Sequence, residues 1–558
     1  MNKLLKNNVI YLIGLLIVVI FTFANLSQTF YQQDEWQTLG HLLIGDKEIF
    51  GNLNPILLLF GELRPLSGLL YSVLLGVFRF SIMPAAIFGI FFHFINAILT
   101  FYLAYGISKN KLIAFLAGLF LITNSVSHQA VTWIAALGTL PATTFLILTV
   151  ICYFQYFETK DRKFLTIGFV STVLSLMFKG VGLFLFIFLP IMFFIYEVKS
   201  VGKRSMTKVV KTNFLLLVFG SLIFLVRSGQ FFFSTKGAAG FINAGSNSST
   251  LMTIIGHIIL YPLTSLFQIF VPPLDLYSIT IPFSKMQYRF LIGSPLTDLV
   301  AQSMVADMFA IVGSMVIIGF LVIMALKYKN KILNKNILFS LLFLFLSFLP
   351  YIVLNRDSSY LSSRYFYVAA IPAGIIFGYI VYFFIRMHRY AKWPVFFLVF
   401  LFLFHHVNII RKDVAYQVKI GNERKAVLNG IKKLYPEIEK NFIFYVTSDK
   451  PFSGEITNPF QNGLGYILEV WYYSSGNIPS EFLMDNFLWD LGSEGYRKNG
   501  DFGFGYFQNT DKMVKEMKSQ GVSINIIHGF LIDSKTGQVS DITKETKEII
   551  APFSATLK

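Results

Sequence analysis

Residues 31–36 read Tyr31-Gln32-Gln33-Asp34-Glu35-Trp36, directly after the first long apolar run. Two adjacent carboxylates beside a bilayer suit a general base or the ligation of a divalent cation. The same loop, 31–64, goes on to Asp46, Glu48, Glu62 and Arg64, a composition that a hydrated outer loop avoiding positive charge would share. Lys179 is harder to place as mere hydration. It is a lone ammonium inside the nearly uncharged stretch 164–197, and costs a few kcal/mol unless it reaches water or an anion. A phosphate would serve as that anion, and snorkelling to the interface is the alternative. Arg364, in Ser363-Arg364-Tyr365-Phe366-Tyr367, offers a two-pronged donor for phosphate, or an anchor beside an aromatic belt. His128 and Trp133 fall in one short polar tip where they could touch a ligand, although Trp is common at interfaces generally. His93 and Asn96, three apart on a helix, fit a buried interhelical hydrogen bond, and Asp307 fits helix packing as well as a site. No phosphate-cradling Gly-Lys loop, zinc-ligand spacing or nucleophile elbow is present.

The elements that must position these residues follow from composition. The 558 residues are 55% apolar and 14% charged, with 62 Phe, and the mean hydropathy is +0.62. Soluble domains carry about 25% charge, so a polytopic membrane protein is expected. Apolar segments at 9–30, 83–107, 112–127, 139–157, 164–178, 181–197, 212–227, 302–326, 336–354, 365–386 and 394–410 predict about eleven crossings. The first is too long for a signal-peptide core and reads as a retained helix. Cys152 is the single cysteine, so no intrachain disulfide can form.

Charge sets the expected sidedness. Residues 1–8, 108–111, 158–163, 197–211, 327–335 and 386–393 together hold nineteen Lys and Arg against three acids, Glu158, Asp161 and Glu197. By the positive-inside rule these segments are cytoplasmic, which puts the N-terminus inside and the C-terminus outside. The formal net charge of +17 is then an orientation signal, and nucleic acid is not expected as a partner. The stretch 164–197, flanked by basic clusters, must cross twice, with Lys179-Gly180 at its outer tip. The same logic makes 112–157 a hairpin tipped by residues 127–133. Outer loops 31–82 and 228–301 contain the semi-apolar stretches 66–80 and 251–272, expected to lie in the outer interface or to cross as extra spans. From residue 412 the composition turns soluble, with 17 basic and 18 acidic residues. A helix at Glu423–Leu434, a strand at Phe442–Val446 and a hairpin turning at 533–537 predict a small α/β domain. The expected domains are therefore 1–411, transmembrane, and 412–558, extracytoplasmic.

The order Asp34-Glu35-Trp36, Arg64-Pro65-Leu66, His93-x-x-Asn96, His128-Gln129-Ala130-Val131-Thr132-Trp133, Lys179-Gly180 and Arg364-Tyr365-Phe366-Tyr367 resembles the GT-C class of integral-membrane glycosyltransferases. The likeness is to the protein O-mannosyltransferase-like members, and covers about residues 1–411. It implies a GT-C-like plasma-membrane enzyme that moves a sugar from a polyprenyl-phosphate donor to a glycan, lipid or protein acceptor on the extracytoplasmic face. In that scheme Asp34 is the base and Glu35 its catalytic neighbour, while Arg64, His128, Trp133, Lys179 and Arg364 bind substrate. No cofactor is implied beyond a divalent cation whose ligands the resemblance leaves open. Relatives often carry Asp-Asp where this chain has Asp34-Glu35, and Lys-Glu where it has Lys179-Gly180. The alternatives are a lipid-linked polysaccharide polymerase or ligase, and a transporter or flippase. A transporter should show repeated halves and midplane polar groups on interrupted helices.

Overall fold

The computed structural model describes residues 8–32, 34–43, 64–197, 203–233, 250–291, 298–328, 331–352, 354, 359–387, 390–449, 464–474, 476, 480–482, 494–533 and 535–554. The chain forms two compact units. Of the described residues, one contains those within 8–24, 64–67 and 87–412; the other contains those within 25–43, 68–86 and 413–554. The segment after the first apolar helix thus groups with the C-terminal residues.

Among the described residues, eight helices are long and apolar enough to cross a membrane, or up to ten if each of two bent pairs is one span. That is the build of a multi-pass membrane protein. Of the eleven expected segments, Lys111–Thr123 and Lys163–Phe178 are helices of only 13 and 16 residues. At 1.5 Å per residue they reach about 20 and 24 Å, short of a bilayer core. Both are nonetheless arms of the expected hairpins, returning through Thr139–Thr159 and Leu185–Glu197. The helix Lys111–Thr123 is packed among protein on most sides, with Ala114, Ala117, Phe120 and Leu121 buried, so protein rather than lipid sets its length.

Its main partner is the helix Ala370–Met387, which carries Gly374-Ile375-Ile376-Phe377-Gly378. A Cβ on Gly374 would stand 2.7 Å from the Ala117 carbonyl oxygen, and one on Gly378 2.8 Å from that of Ile113. This is the small-xxx-small geometry that lets two membrane helices touch backbone to backbone. His93 and Asn96 make the expected buried ties. His93 Nδ1 lies 2.7 Å from the Tyr367 hydroxyl, and the Asn96 amide donates to the Leu140 carbonyl at 3.0 Å and to Tyr367 at 3.2 Å.

The basic loops gather at one end of this unit. Lys109 pairs with Glu158 at 2.9 Å, Lys163 with Asp161 at 2.8 Å, and both Lys160 and Lys208 meet Glu197. Lys335 lies over the Tyr196 ring and Lys327 over Phe383. The stretch 251–272 is the first half of a bent pair, Ile254–Gln268 and Pro273–Phe283, which turns through 104°. Pro272 and Pro273 supply no N–H to continue the helical ladder. The carbonyls exposed there find partners on other elements: Asn124 Nδ2 donates to Ile269 at 2.7 Å, the Tyr360 hydroxyl to Val271 at 2.8 Å, and His406 Nε2 lies 3.3 Å from the Phe270 oxygen.

The second unit contains a five-stranded sheet in the order β2-β3-β1-β4-β5. The strands are β1 (Asn441–Ser448), β2 (Gly495–Asn499), β3 (Phe502–Phe507), β4 (Ile527–Ile532) and β5 (Val539–Asp541). Central β1 runs parallel to β3 and β4, and the edges are antiparallel. The expected hairpin is β4–β5, with Gly537 at φ +69° in its turn, a conformation that glycine adopts without strain. The predicted helix at Glu423–Leu434 is the end of a 43-residue helix, Lys392–Leu434, rather than a separate element.

Candidate functional site

The polar end of the helical unit, opposite the paired lysines, is assembled from three short connections. The hairpin tip after Thr123 folds into a single helical turn, Gln129–Thr132, and the segment before Ala370 into a 3-10 turn, Ser363–Phe366. The glycine contact between the two following or preceding helices brings these turns together, and Gln129 N–H donates to Ser363 Oγ at 3.2 Å. As a result the Arg364 guanidinium lies 4.6 Å from the Trp133 ring centre and 4.7 Å from that of Tyr365, whose hydroxyl it also meets at 3.1 Å. Stacking of this kind holds the fork flat and leaves its edges as donors.

Lys179 follows immediately where the helix Lys163–Phe178 stops, and its Nζ donates to Thr139 Oγ1 at 2.7 Å. The charges of Arg64 and Arg364 both bear on it, so the three cations share one neighbourhood. The two arginines act on Tyr351 as well, whose ring centre is 4.5 Å from that of Tyr365. Among the described residues none of the three cations has a carboxylate within ion-pair distance. The indole Nε1 of Trp133 is buried without a hydrogen-bond partner. Beyond the hydroxyls of Thr139 and Tyr365 this group is rich in donors and carries like charge, and like charges held together repel unless an anion joins them, while a buried unmet N–H costs about 1–3 kcal/mol. His128, also expected here, uses Nδ1 on the Ser125 carbonyl at 2.6 Å.

Asp34 and Glu35 belong to the other compact unit. They open the helix Asp34–Leu43, where carboxylates suit the positive end of the helix dipole. Their burial differs. Asp34 is half-buried, whereas Glu35 is buried, accepts from the Gln32 N–H at 3.2 Å and carries a charge that supports that of the buried Arg424 guanidinium. Arg424 in turn donates to the Tyr31 carbonyl at 3.0 Å. Trp36 is fully buried against Tyr31, Phe30, Phe80 and Trp471, and the Tyr466 hydroxyl donates to the Trp36 and Gln37 carbonyls. Glu35 is thus held in a buried hydrogen bond, and Asp34 is the member of the pair with access to solvent. Asp46, Glu48 and Glu62 lie outside the described residues. Among the described residues no group of three or more His, Cys, Asp or Glu side chains is arranged to hold a metal ion.

Sequence reasoning passed over two groups. His406 receives Ser125, through its hydroxyl at 2.7 Å and its N–H at 3.2 Å, and so fixes the tip that carries Trp133. Glu469, in the helix Leu464–Ser474, is buried with both carboxyl oxygens unpartnered, and burial pushes its carboxyl well above the usual carboxylate range. Its signal was in the sequence: one acid inside the apolar run Leu464-Gly465-Tyr466-Ile467-Leu468-Glu469-Val470-Trp471. Asp307 takes the packing role, accepting from Ser359 at 2.6 Å.

Comparison with family models finds no match, and comparison with curated protein sequences finds none either.

Proposed function

We propose that this membrane protein is a GT-C-like glycosyltransferase that uses a polyprenyl-phosphate-linked sugar at the end of its helical unit opposite the basic loops. The observation that carries the reading is the gathering of Arg64, Lys179 and Arg364, without a carboxylate partner among the described residues, beside the unmet Trp133 N–H. A sugar donor carried by a lipid brings its anionic phosphate to that membrane face, and the phosphate is also the leaving group. Cations already held in place stabilise the charge that develops on it as the glycosidic bond breaks. Asp34, the more accessible acid of the first outer segment, takes the proton of the acceptor hydroxyl as that oxygen attacks the anomeric carbon. Direct displacement inverts the anomeric centre. The positive-inside rule puts the basic end in the cytoplasm and the transfer outside, at the plasma membrane, with the acceptor a glycan, lipid or protein.

The test is transfer from radiolabelled polyprenyl-phosphate sugars by the purified full chain. Asp34→Asn is expected to lower kcat by about 10²–10⁴ with donor binding retained. Undiminished transfer by that variant removes the base. Absence of turnover with every lipid donor, together with movement of lipid across proteoliposomes, supports a flippase instead, and a product with retained configuration excludes direct displacement.

A further inference from the structure

We propose that a cavity at the basic end of the helical unit binds the phosphate of an anionic glycerophospholipid. This site is separate from the cation group at the other end and does not depend on the function proposed above. The cavity, of about 250 Å³, lies between the helices Lys111–Thr123, Asp298–Tyr328, Lys331–Leu346 and Ala370–Met387. Met324, Ile332 and Leu333 give it apolar walls, while Tyr328, Tyr382 and Arg386 line its polar side. Asn336 also lines it, its amide already used on the Ile107 carbonyl at 3.0 Å and the Tyr379 hydroxyl at 2.9 Å. Ser108 and Asn110 line it too, and among the described residues the guanidinium of Arg386 is the one charged group that an occupant meets there.

Charge decides what that occupant is. The basic loops contain only three acids, and each is spent on lysines of the hairpin side: Glu158 on Lys109, Asp161 on Lys163, and Glu197 on Lys160 and Lys208. None is left for the opposite side, where Arg386 stacks on Tyr382 at 4.9 Å and Lys327 lies 5.6 Å from the Phe383 ring centre. That side of the end is uniformly positive, and Arg386 has no carboxylate partner among the described residues. An anion is called for, and the walls specify a lipid one: Ile332 is 67% exposed, and with Met324 and Leu333 it forms an apolar flank that suits a glycerol backbone and the start of acyl chains. A guanidinium meets a phosphodiester with two parallel donors, which a choline headgroup would oppose with its own cation. Basic clefts between helix ends recognise lipid headgroups on this principle.

The experiment uses the delipidated full chain in detergent, incubated with phosphatidylglycerol, with phosphatidylcholine or with inorganic phosphate, and reads bound lipid by intact-protein mass spectrometry beside the thermal unfolding profile. One phosphatidylglycerol is expected to stay bound and raise Tm, with affinity about tenfold weaker in Arg386→Gln through loss of a charge-assisted hydrogen bond, and partly restored in Arg386→Lys. Lys109→Gln, which removes a paired charge at the same end, should bind like the unmodified protein. Ile332→Trp fills the cavity mouth without touching a charge and should also weaken binding, which keeps the test open if Arg386→Gln does not fold. Equal retention of phosphatidylcholine, unchanged binding in both Arg386→Gln and Ile332→Trp, or equal protection by inorganic phosphate alone would each overturn the proposal.

Discussion

At one end of the helical unit Lys109 meets Glu158 at 2.9 Å and Lys163 meets Asp161 at 2.8 Å, with side chains 43–64% exposed. At the other, Arg64, Lys179 and Arg364 sit together among Trp133, Tyr351 and Tyr365 without a carboxylate at ion-pair distance among the described residues. Both ends are built from lysines and arginines, yet only the exposed pairs are neutralised. Solvent and neighbouring acids make the first set cheap to hold and cheap to lose. The second set is costly to assemble, and its arrangement is explained when an anion completes it.

The comparison breaks or sharpens on substitution. Arg364→Ala and Lys179→Met should each lower transfer from a polyprenyl-phosphate sugar by about 10²–10³, the scale of losing a preorganised donor to a transition-state oxyanion. Tm should change little by comparison, and a loss of the same size in Lys109→Gln would erase the distinction between the ends. Gly374→Leu should cost about 1–3 kcal/mol, because its side chain would meet the Ala117 carbonyl where even a Cβ stands at 2.7 Å. Unfolding of the variant in detergent at a lower temperature, with a smaller loss in Gly374→Ala, whose Cβ alone already meets that carbonyl, would show that this contact holds Trp133 and Arg364 in place.

A smaller effect belongs to the sheet. His528 stacks on Phe442 at 4.1 Å and faces Tyr435 edge-on, and burial, aided by Lys547, pushes its imidazole down to about 4. A histidine whose folded pKa lies below its unfolded value of 6.5 gives stability that is present above pH 6.5 and lost as pH falls toward 4. Because the ring is partly exposed, the loss should be about 1 kcal/mol after screening. Hydrogen exchange of β1 and β4 amides at pH 7 and pH 5 measures it, and His528→Phe should flatten the difference. Least of all, Lys109→Gln should shift stability by less than about 0.5 kcal/mol, within the range of exposed pairs. A larger shift in a thermal scan would mean that the basic end is more than a solvated face.

Much of the helical unit was legible because charge punctuates it. Lys179 and the clusters at 160–163 and 199–204 mark a hairpin whose arms are two helices, and the run 127–133 marks another. The Asp34 and Glu35 pair was visible as chemistry, but the difference between them was not, since it depends on Arg424, nearly four hundred residues away. Gly374 and Gly378 form a recognisable pattern whose partner face, Ile113 and Ala117, only packing reveals. The bend at Pro272-Pro273 was hidden because a hydropathy window averages over it, and the sheet order was hidden because parallel pairing joins segments that no local turn connects. His406 looked like one more polar residue near the end of a span until Ser125 came to meet it.

The tie between the Tyr466 hydroxyl and the Trp36 carbonyl spans 430 positions of the chain. At a synthesis rate of roughly 5–20 residues per second, Trp36 and its aromatic neighbours wait roughly 20 to 90 seconds for the residues that bury them. During that interval every intervening span must be inserted while the early segment stays unaggregated. The opening stretch of the second unit is therefore an orphan of biogenesis: it leaves the ribosome some 430 residues before the partner that buries it. A truncation that removes the C-terminal helices and strands would strand it, so loss of those residues should be felt first at the acids near the beginning of the chain.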